Sequence, residues 1–466
     1  MKKILIVVPD GVGVRNYLYS KFVNHLLADN NEIIICHKLT KGAIEEIRKH
    51  KPELNKFIEI PNFTEGLKAR VLRESLAYAR LLQNKKILNN KTIVKFWSPN
   101  KKGFKKRVLY FIAEILGAIL SKSNKLIKFG DKLFDEEISK SDVIAKNIFE
   151  KHKPDVVLNL HQRAPITSPI FSCAKKMQIK TATVIYSWDN IPKARLIFRY
   201  DYYFVWSELM KQELELLYKE IKSSQIKITG TPQFEFYSIE SYSKDKKSFF
   251  KTYGLNPLKK TICFSGNDVT TSPYETAYLE DVCEEVSKIE EENRPQIIFR
   301  RCPVDKSSRF DEVINKYKEI LFCIDPDWRI DKDLENSFSS IYPAYNDIKL
   351  LVNTVYHSDA IINLGSTMAH DAAVLNKPCL YLNYNPVNNV SWNVEDIYNF
   401  QHFKTLKDIE AVGWVNNKDE IRKKVILSLL EPNKVGKDRK KWLKRIVLEP
   451  LENNSNNIVK AIKECM

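Results

Sequence analysis

Most of the features that declare a function at first sight are missing from this sequence. Its eight cysteines (Cys36, Cys173, Cys263, Cys283, Cys302, Cys323, Cys379 and Cys465) stand far apart, and no CxxC or Cys/His cluster has zinc-site spacing. They read as reduced thiols of a cytosolic protein. Glycine is sparse, at 13 residues, and no Walker A sequence occurs, which removes the P-loop nucleotidases from consideration. No apolar run reaches the roughly 20 residues that a membrane span requires; the best, 108–120, is interrupted by Glu114. The first apolar run turns polar at Pro9-Asp10-Gly11 without a small-residue cleavage site, so it reads as a first strand and not as a signal peptide.

What is present describes a folded chain of 466 residues, 44% apolar and 29% charged, long enough for two domains. The formal net charge is +17, and residues 85–133 hold thirteen basic side chains against two acids, Glu114 and Asp131, so this one segment carries +11. It contains no recognisable nucleic-acid-binding module, and nucleic acid is not expected as a partner. Because the basic residues enclose the apolar run, the segment 101–120, bounded by Lys101 and Leu120, suits a helix lying on an anionic membrane surface. The competing reading is a buried helix with solvated lysines at its flanks.

Apolar runs bounded by turn residues alternate with longer amphipathic stretches, the pattern of doubly wound parallel sheets. Strands are expected at 4–8, 32–36, 156–160, 181–185, 202–205 and 226–229, with a mostly helical insertion at about 65–150. A second series follows a polar stretch, with strands at 261–265, 296–300, 320–323, 360–363 and 379–382. The expected organisation is therefore α/β, two Rossmann-like domains at 1–237 and 248–435 facing a cleft. Two helices within 436–466, at 439–446 and 455–465, are expected to pack back onto a neighbouring domain.

Three strand-end loops of the second series suit an anion. Gly365-Ser366-Thr367 joins a strand to a helix, where free N–H groups and hydroxyls would receive a phosphate, and Asp371 in that helix could accept a sugar hydroxyl. Arg300 and Arg301 end another strand, with guanidinium forks suited to diphosphate oxygens. Ser265-Gly266-Asn267 ends a third and offers further backbone donors. Asp325 and Asp327 have the spacing of a metal-binding pair but fall in a proline-containing loop, and no metal site is expected.

The order strand, Arg-Arg-Cys-Pro, then Ser-Asp-Ala-Ile-Ile-Asn-x-Gly-Ser-Thr-x-x-x-Asp-Ala-Ala-x-x-x-Lys-Pro resembles the carboxyl-terminal domain of GT-B glycosyltransferases of the bacterial surface-polysaccharide type, such as capsule, lipopolysaccharide and teichoic-acid enzymes. The resemblance implies a metal-independent transferase without a cofactor. Its nucleotide-sugar donor would lie against Ser265, Gly266, Asn267, Arg300, Arg301, Gly365, Ser366, Thr367 and Asp371. Many relatives carry glutamate where this chain has Asp371. A glycan or lipid-linked acceptor would enter from the first domain, and the enzyme would sit in the cytoplasm against the inner face of the plasma membrane. A nucleotide-sugar epimerase or a polyol-phosphate transferase of the same fold would carry similar loops, as would a non-catalytic, membrane-tethered binding protein.

On the acceptor side the candidates are Gly11, Gly13 and Arg15 after the first strand, where the glycines are not a complete dinucleotide fingerprint. His161 and Arg163 follow another strand, and Trp188 and Asp189 the next, a composition suited to gripping a sugar. Asp189, His161 and Asp10 are the candidates for a base.

Overall fold

A computed structural model of the chain describes residues 1–330, 341–388 and 392–466. It contains two parallel sheets, as the alternating pattern requires. The first consists of β1 (Lys3–Val8), β2 (Glu32–His37), β3 (Phe57–Glu59), β4 (Val156–Asn159), β5 (Lys180–Val184), β6 (Tyr202–Val205) and β7 (Ile226–Ile228), in the order β3-β2-β1-β4-β5-β6-β7. The second consists of β8 (Thr261–Ser265), β9 (Gln296–Arg300), β10 (Leu321–Cys323), β13 (Ala360–Asn363), β14 (Cys379–Leu382) and β15 (Gly413–Val415), in the order β10-β9-β8-β13-β14-β15. Between β10 and β13 a short antiparallel hairpin pairs β11 (Trp328–Ile330) with β12 (Ile341–Pro343).

The central strands are apolar on both faces because helices cover both. Ile4, Leu5, Ile6, Val7 and Val8 of β1 are fully buried, as are Ile297, Ile298 and Phe299 of β9. Such strands are set by burial, and their registers are continuous: Ile4 to Val7 face Val156 to Asn159 across β1 and β4, and Thr261 to Ser265 face Gln296 to Arg300 across β8 and β9.

Each sheet reverses its winding once, between β1 and β4 in the first and between β8 and β13 in the second. Chains leave in opposite directions at such a point, which opens a crevice beyond the carboxyl ends of the strands. Asp10 and His161 follow β1 and β4; Ser265 and Gly365 lie at the ends of β8 and β13. The two crevices meet in one cleft.

Four helices, Leu67–Ile87, Phe104–Leu120, Asn124–Ser139 and Val143–His152, fill the long connection from β3 to β4. At the carboxyl end, helix Asn454–Cys465 buries Ile458, Val459 and Ile462 in the same core as Val23 and Leu26 of helix Lys21–Ala28. Salt bridges from Lys227 to Glu464 and from Lys463 to Asp29 edge this contact. The end of the chain therefore returns to the first sheet's core. The hairpin makes a second crossing, where Arg329 and the backbone N–H of Tyr345 both bond Glu46 of helix Lys41–His50, at 3.1 and 3.0 Å.

Candidate active site

The cleft encloses a cavity of about 540 Å³ walled by both sheets. Asp10, Arg15, His161 and Arg163 come from the first, and Ser265, Arg300, Ser366 and Asp371 from the second. Trp328 and Ile341 of the hairpin close one side. Ser265, Arg300 and Ser366, widely separated in sequence, thus share one wall.

On the first wall Asp10 has two tasks. One carboxylate oxygen caps the helical turn that starts at Gly11, accepting the Val12 N–H at 3.1 Å; the other is hydrogen-bonded to Nδ1 of His161. The His161 backbone is held in turn by Asn159 Oδ1 at 3.2 Å, and its ring meets the edge of Tyr186. A carboxylate on Nδ1 fixes the imidazole orientation and leaves Nε2, which has no hydrogen bond among the described residues, to exchange a proton.

The second wall is built on Arg300. Its guanidinium is 4% exposed and donates from Nη2 to Asp347 Oδ1 at 2.7 Å. Asp347 also receives the Asp327 N–H and the indole N–H of Trp328. Burial alone would raise the Asp347 carboxyl; Arg300 more than offsets it and holds the group ionised, below the ordinary carboxylate range. Arg300 Nη1, however, is buried without any partner among the described residues. An unpaired guanidinium N–H in a low-dielectric wall is costly unless an anion answers it. Arg15 and Arg163 face the same space, and neither enters an ion pair among the described residues. Four arginines line the cavity, Arg15, Arg163, Arg300 and Arg301, against three acids, Asp10, Asp268 and Asp371.

Asp371 lies at the junction of the walls, 4% exposed, accepting the Tyr237 hydroxyl at 2.8 Å. Burial pushes its carboxyl up to about 6, against the opposing pull of Tyr237, Arg15 and Arg300. The group therefore exchanges a proton close to neutrality. The Tyr237 hydroxyl is raised in turn, by burial and by this carboxylate.

Several residues expected in the site have other work. Trp188, expected beneath a sugar, is core: it is buried among His370, His402, Phe403 and Trp442. Asp189 is bound by the Ser187 hydroxyl at 2.6 Å, by Asn190 and by Lys193. Burial opposes its ionisation, but Lys193, His402 and the Ser187 hydroxyl together drive the carboxyl far below its ordinary range, which makes it a poor base. Gly11 and Gly13 admit protein in place of ligand, since a Cβ at Gly11 would lie 2.3 Å from the Ile341 carbonyl and one at Gly13 3.1 Å from Leu160.

The donors expected of the strand-end loops are largely spent. The Gly266 N–H bonds the Arg300 carbonyl, the Asn267 N–H bonds Glu275, and the Ser366 N–H bonds Asn363 Oδ1. The Ser366 hydroxyl accepts the Met368 N–H as a cap. Arg301, one residue beyond Arg300, lines the same cavity and also reaches the Ser307 carbonyl, Asp325 and Asp311. Asp325 and Asp327 are thereby occupied by Arg301 and Arg329.

Three supporting residues went unread in the sequence. Glu275, fully buried, grips both N–H groups of Asn267, and Arg309 donates to the Asn267 carbonyl at 2.9 Å. Asp347 holds Arg300. The signal for Asp347 was an acid on the apolar side of helix Asn346–His357, which also buries Ile348, Val352 and Val355.

A second cavity, of about 630 Å³, adjoins the first and shares Arg163, Asn267, Ser366 and Thr367 with it. Gly365 belongs to this side: its φ of +62° suits glycine, and a Cβ there would lie 2.7 Å from the Phe403 ring. Asp189, Lys193 and the segment around Phe96 complete its wall.

No protein-family model and no curated protein matches the sequence. Solved structures do match. A UDP-GlcNAc 2-epimerase from Methanocaldococcus jannaschii aligns over 100% of both chains, with TM-score 0.53 and 15% identity. The S. aureus MnaA–UDP structure aligns over 100% of this chain and 96% of its own, with TM-score 0.52 and 14% identity. Another UDP-N-acetylglucosamine 2-epimerase aligns over 99% and 96%, with TM-score 0.55 and 14% identity. At these identities the likeness establishes the architecture, two Rossmann-like domains of GT-B type over the whole chain. It also overturns the expectation of a glycosyltransferase, because these neighbours are UDP-GlcNAc 2-epimerases and a UDP-bound protein rather than sugar-transferring enzymes.

Proposed function

We propose that the chain is a nucleotide-sugar epimerase that holds a UDP-sugar in the cleft and inverts one sugar carbon. The observation that carries this reading is the unpartnered Nη1 of Arg300, buried in the wall of a cavity that Arg15 and Arg163 also face. A diphosphate bridging these guanidinium groups satisfies all three, and Ser265 and Ser366 stand on the same wall to receive further oxygens. The similarity in fold to UDP-GlcNAc 2-epimerases supports the choice of nucleotide and reaction.

A route by proton exchange breaks the C–H bond on one face of the sugar, its electron pair expelling the nucleoside diphosphate from the neighbouring carbon, and then re-adds the diphosphate as a proton arrives on the opposite face. Two proton-exchanging groups are available on different walls: His161, oriented by Asp10, and Asp371 with its carboxyl near 6. The test uses UDP-GlcNAc in deuterated water, followed by proton NMR. The expected result is solvent deuterium at the inverted carbon, with the rate falling at least about 100-fold in His161→Ala while UDP still raises the melting temperature. No deuterium uptake and no epimer from any UDP-hexose tried would overturn the assignment.

A further inference from the structure

Helix Phe104–Leu120 is apolar on two opposite faces, and only one of them is covered. Leu109, Tyr110, Ala113 and Gly117 are buried against helix Leu67–Ile87, where a Cβ on Gly117 would lie 2.7 Å from the Ser75 carbonyl. The other face carries Phe104, Phe111, Ile112, Ile115, Leu116 and Ile119, all exposed, with Phe111 62% accessible. A solvent-facing helix surface is ordinarily polar; this one has the spacing and chemistry of a second core face with no core on it. Phe129 in the next helix, Asn124–Ser139, is 57% exposed as well.

Charge says what covers it. Lys105, Lys106, Arg107, Lys122, Lys125 and Lys128 are exposed, and none enters an ion pair among the described residues. Both acids of the basic segment are occupied by protein: Glu114 by Trp97 and Lys101, Asp131 by Arg80 and Arg199. The segment thus presents aliphatic and aromatic side chains edged by unneutralised cations. A second copy would bring its own cations against these, and nucleic acid has no use for an isoleucine and leucine stripe. No helix among the described residues is long and apolar enough to cross a membrane.

We propose that this face docks on an anionic bilayer, with helix Phe104–Leu120 lying in the plane of the interface, its apolar side among the acyl chains and its lysines at the phosphates. The inference is independent of the reaction assigned to the cleft. The experiment is flotation of the full chain with phosphatidylcholine vesicles, with and without phosphatidylglycerol. Binding is expected only with phosphatidylglycerol, decreasing as salt is raised, and at least about tenfold weaker in the double variant Phe111→Ser/Ile115→Ser. These side chains touch solvent, so the variant should keep the melting temperature of the parent; a second variant, Lys105→Glu/Lys106→Glu, should weaken binding without touching the apolar stripe. Failure to float with either vesicle would sink the proposal. So would binding indifferent to Phe111→Ser/Ile115→Ser, or a homodimer that this variant dissociates.

Discussion

Arg300 and Arg301 are consecutive residues at the end of one strand, yet the fold treats them oppositely. Alternation along β9 sends the Arg300 side chain into the cleft wall, where Asp347 takes one nitrogen and leaves another unanswered. Arg301 stays at the rim of the same cavity and reaches Ser307, Asp311 and Asp325, with its guanidinium near the Phe299 and Phe310 rings. Each arginine keeps one buried N–H without a hydrogen-bond partner among the described residues, Nη1 of Arg300 and Nε of Arg301; they differ in the countercharge, a fully buried Asp347 for Arg300 against the exposed Asp311 and Asp325 for Arg301. Both line the cavity, and the pleat decides which of them is held from inside the fold and which from its rim.

Arg300→Ala removes the inner arginine and its ion pair with Asp347. Removing the guanidinium leaves Asp347 as a buried carboxylate with two N–H donors but no hydrogen-bonded countercharge, which costs about 3–5 kcal/mol. Denaturant unfolding of the variant should show this loss, and UDP should no longer raise the melting temperature. The double variant Arg300→Ala/Asp347→Ala separates the two effects. It should recover part of the stability but none of the UDP response, and a recovered UDP response would remove Arg300 from the binding site.

The same wall also responds to pH. Asp371 ionises at about 6 in the folded chain against 3.8 for a free aspartate, so the native state binds the proton more tightly than the unfolded one. Stability from this group is therefore greatest below pH 4 and declines as pH rises to about 6, by about 3 kcal/mol for a shift of this size. Asp371→Asn keeps an acceptor for Tyr237 and removes the charge. Its stability relative to the parent should rise across that window and level off above it, as read by chemical unfolding at several pH values. A difference independent of pH would mean that Asp371 titrates normally.

The sequence showed the strands that flank the cleft because each is a continuous apolar run, and burial on both faces leaves few alternatives. It did not show β3, β11, β12 or β15, each three residues long and lacking a buried apolar run of its own. The gathering of Ser265, Arg300 and Ser366 was legible because all three follow parallel strands of one sheet. The direction of individual side chains was not. Trp188 looked ligand-facing beside Asp189 and Asn190, but the rings that enclose it, His370, His402, Phe403 and Trp442, come from remote parts of the chain. Tyr237 lay at the edge of what read as a linker, and nothing local signalled its hydrogen bond to Asp371.

Arg301 lies at the rim with 16% of its side chain exposed, but its partners Asp311 and Asp325 are well exposed, so water takes over both carboxylates when the guanidinium is removed. Exposed pairs of this kind contribute about 0–1 kcal/mol. Arg301→Ala should therefore unfold within about 1 kcal/mol of the parent and should retain the UDP-dependent rise in melting temperature. If Arg301→Ala instead abolished the UDP response while Arg300→Ala kept it, the ligand would be gripped from the outer side of β9. The unpaired nitrogen of Arg300 would then be a buried defect of the fold rather than half of a binding site.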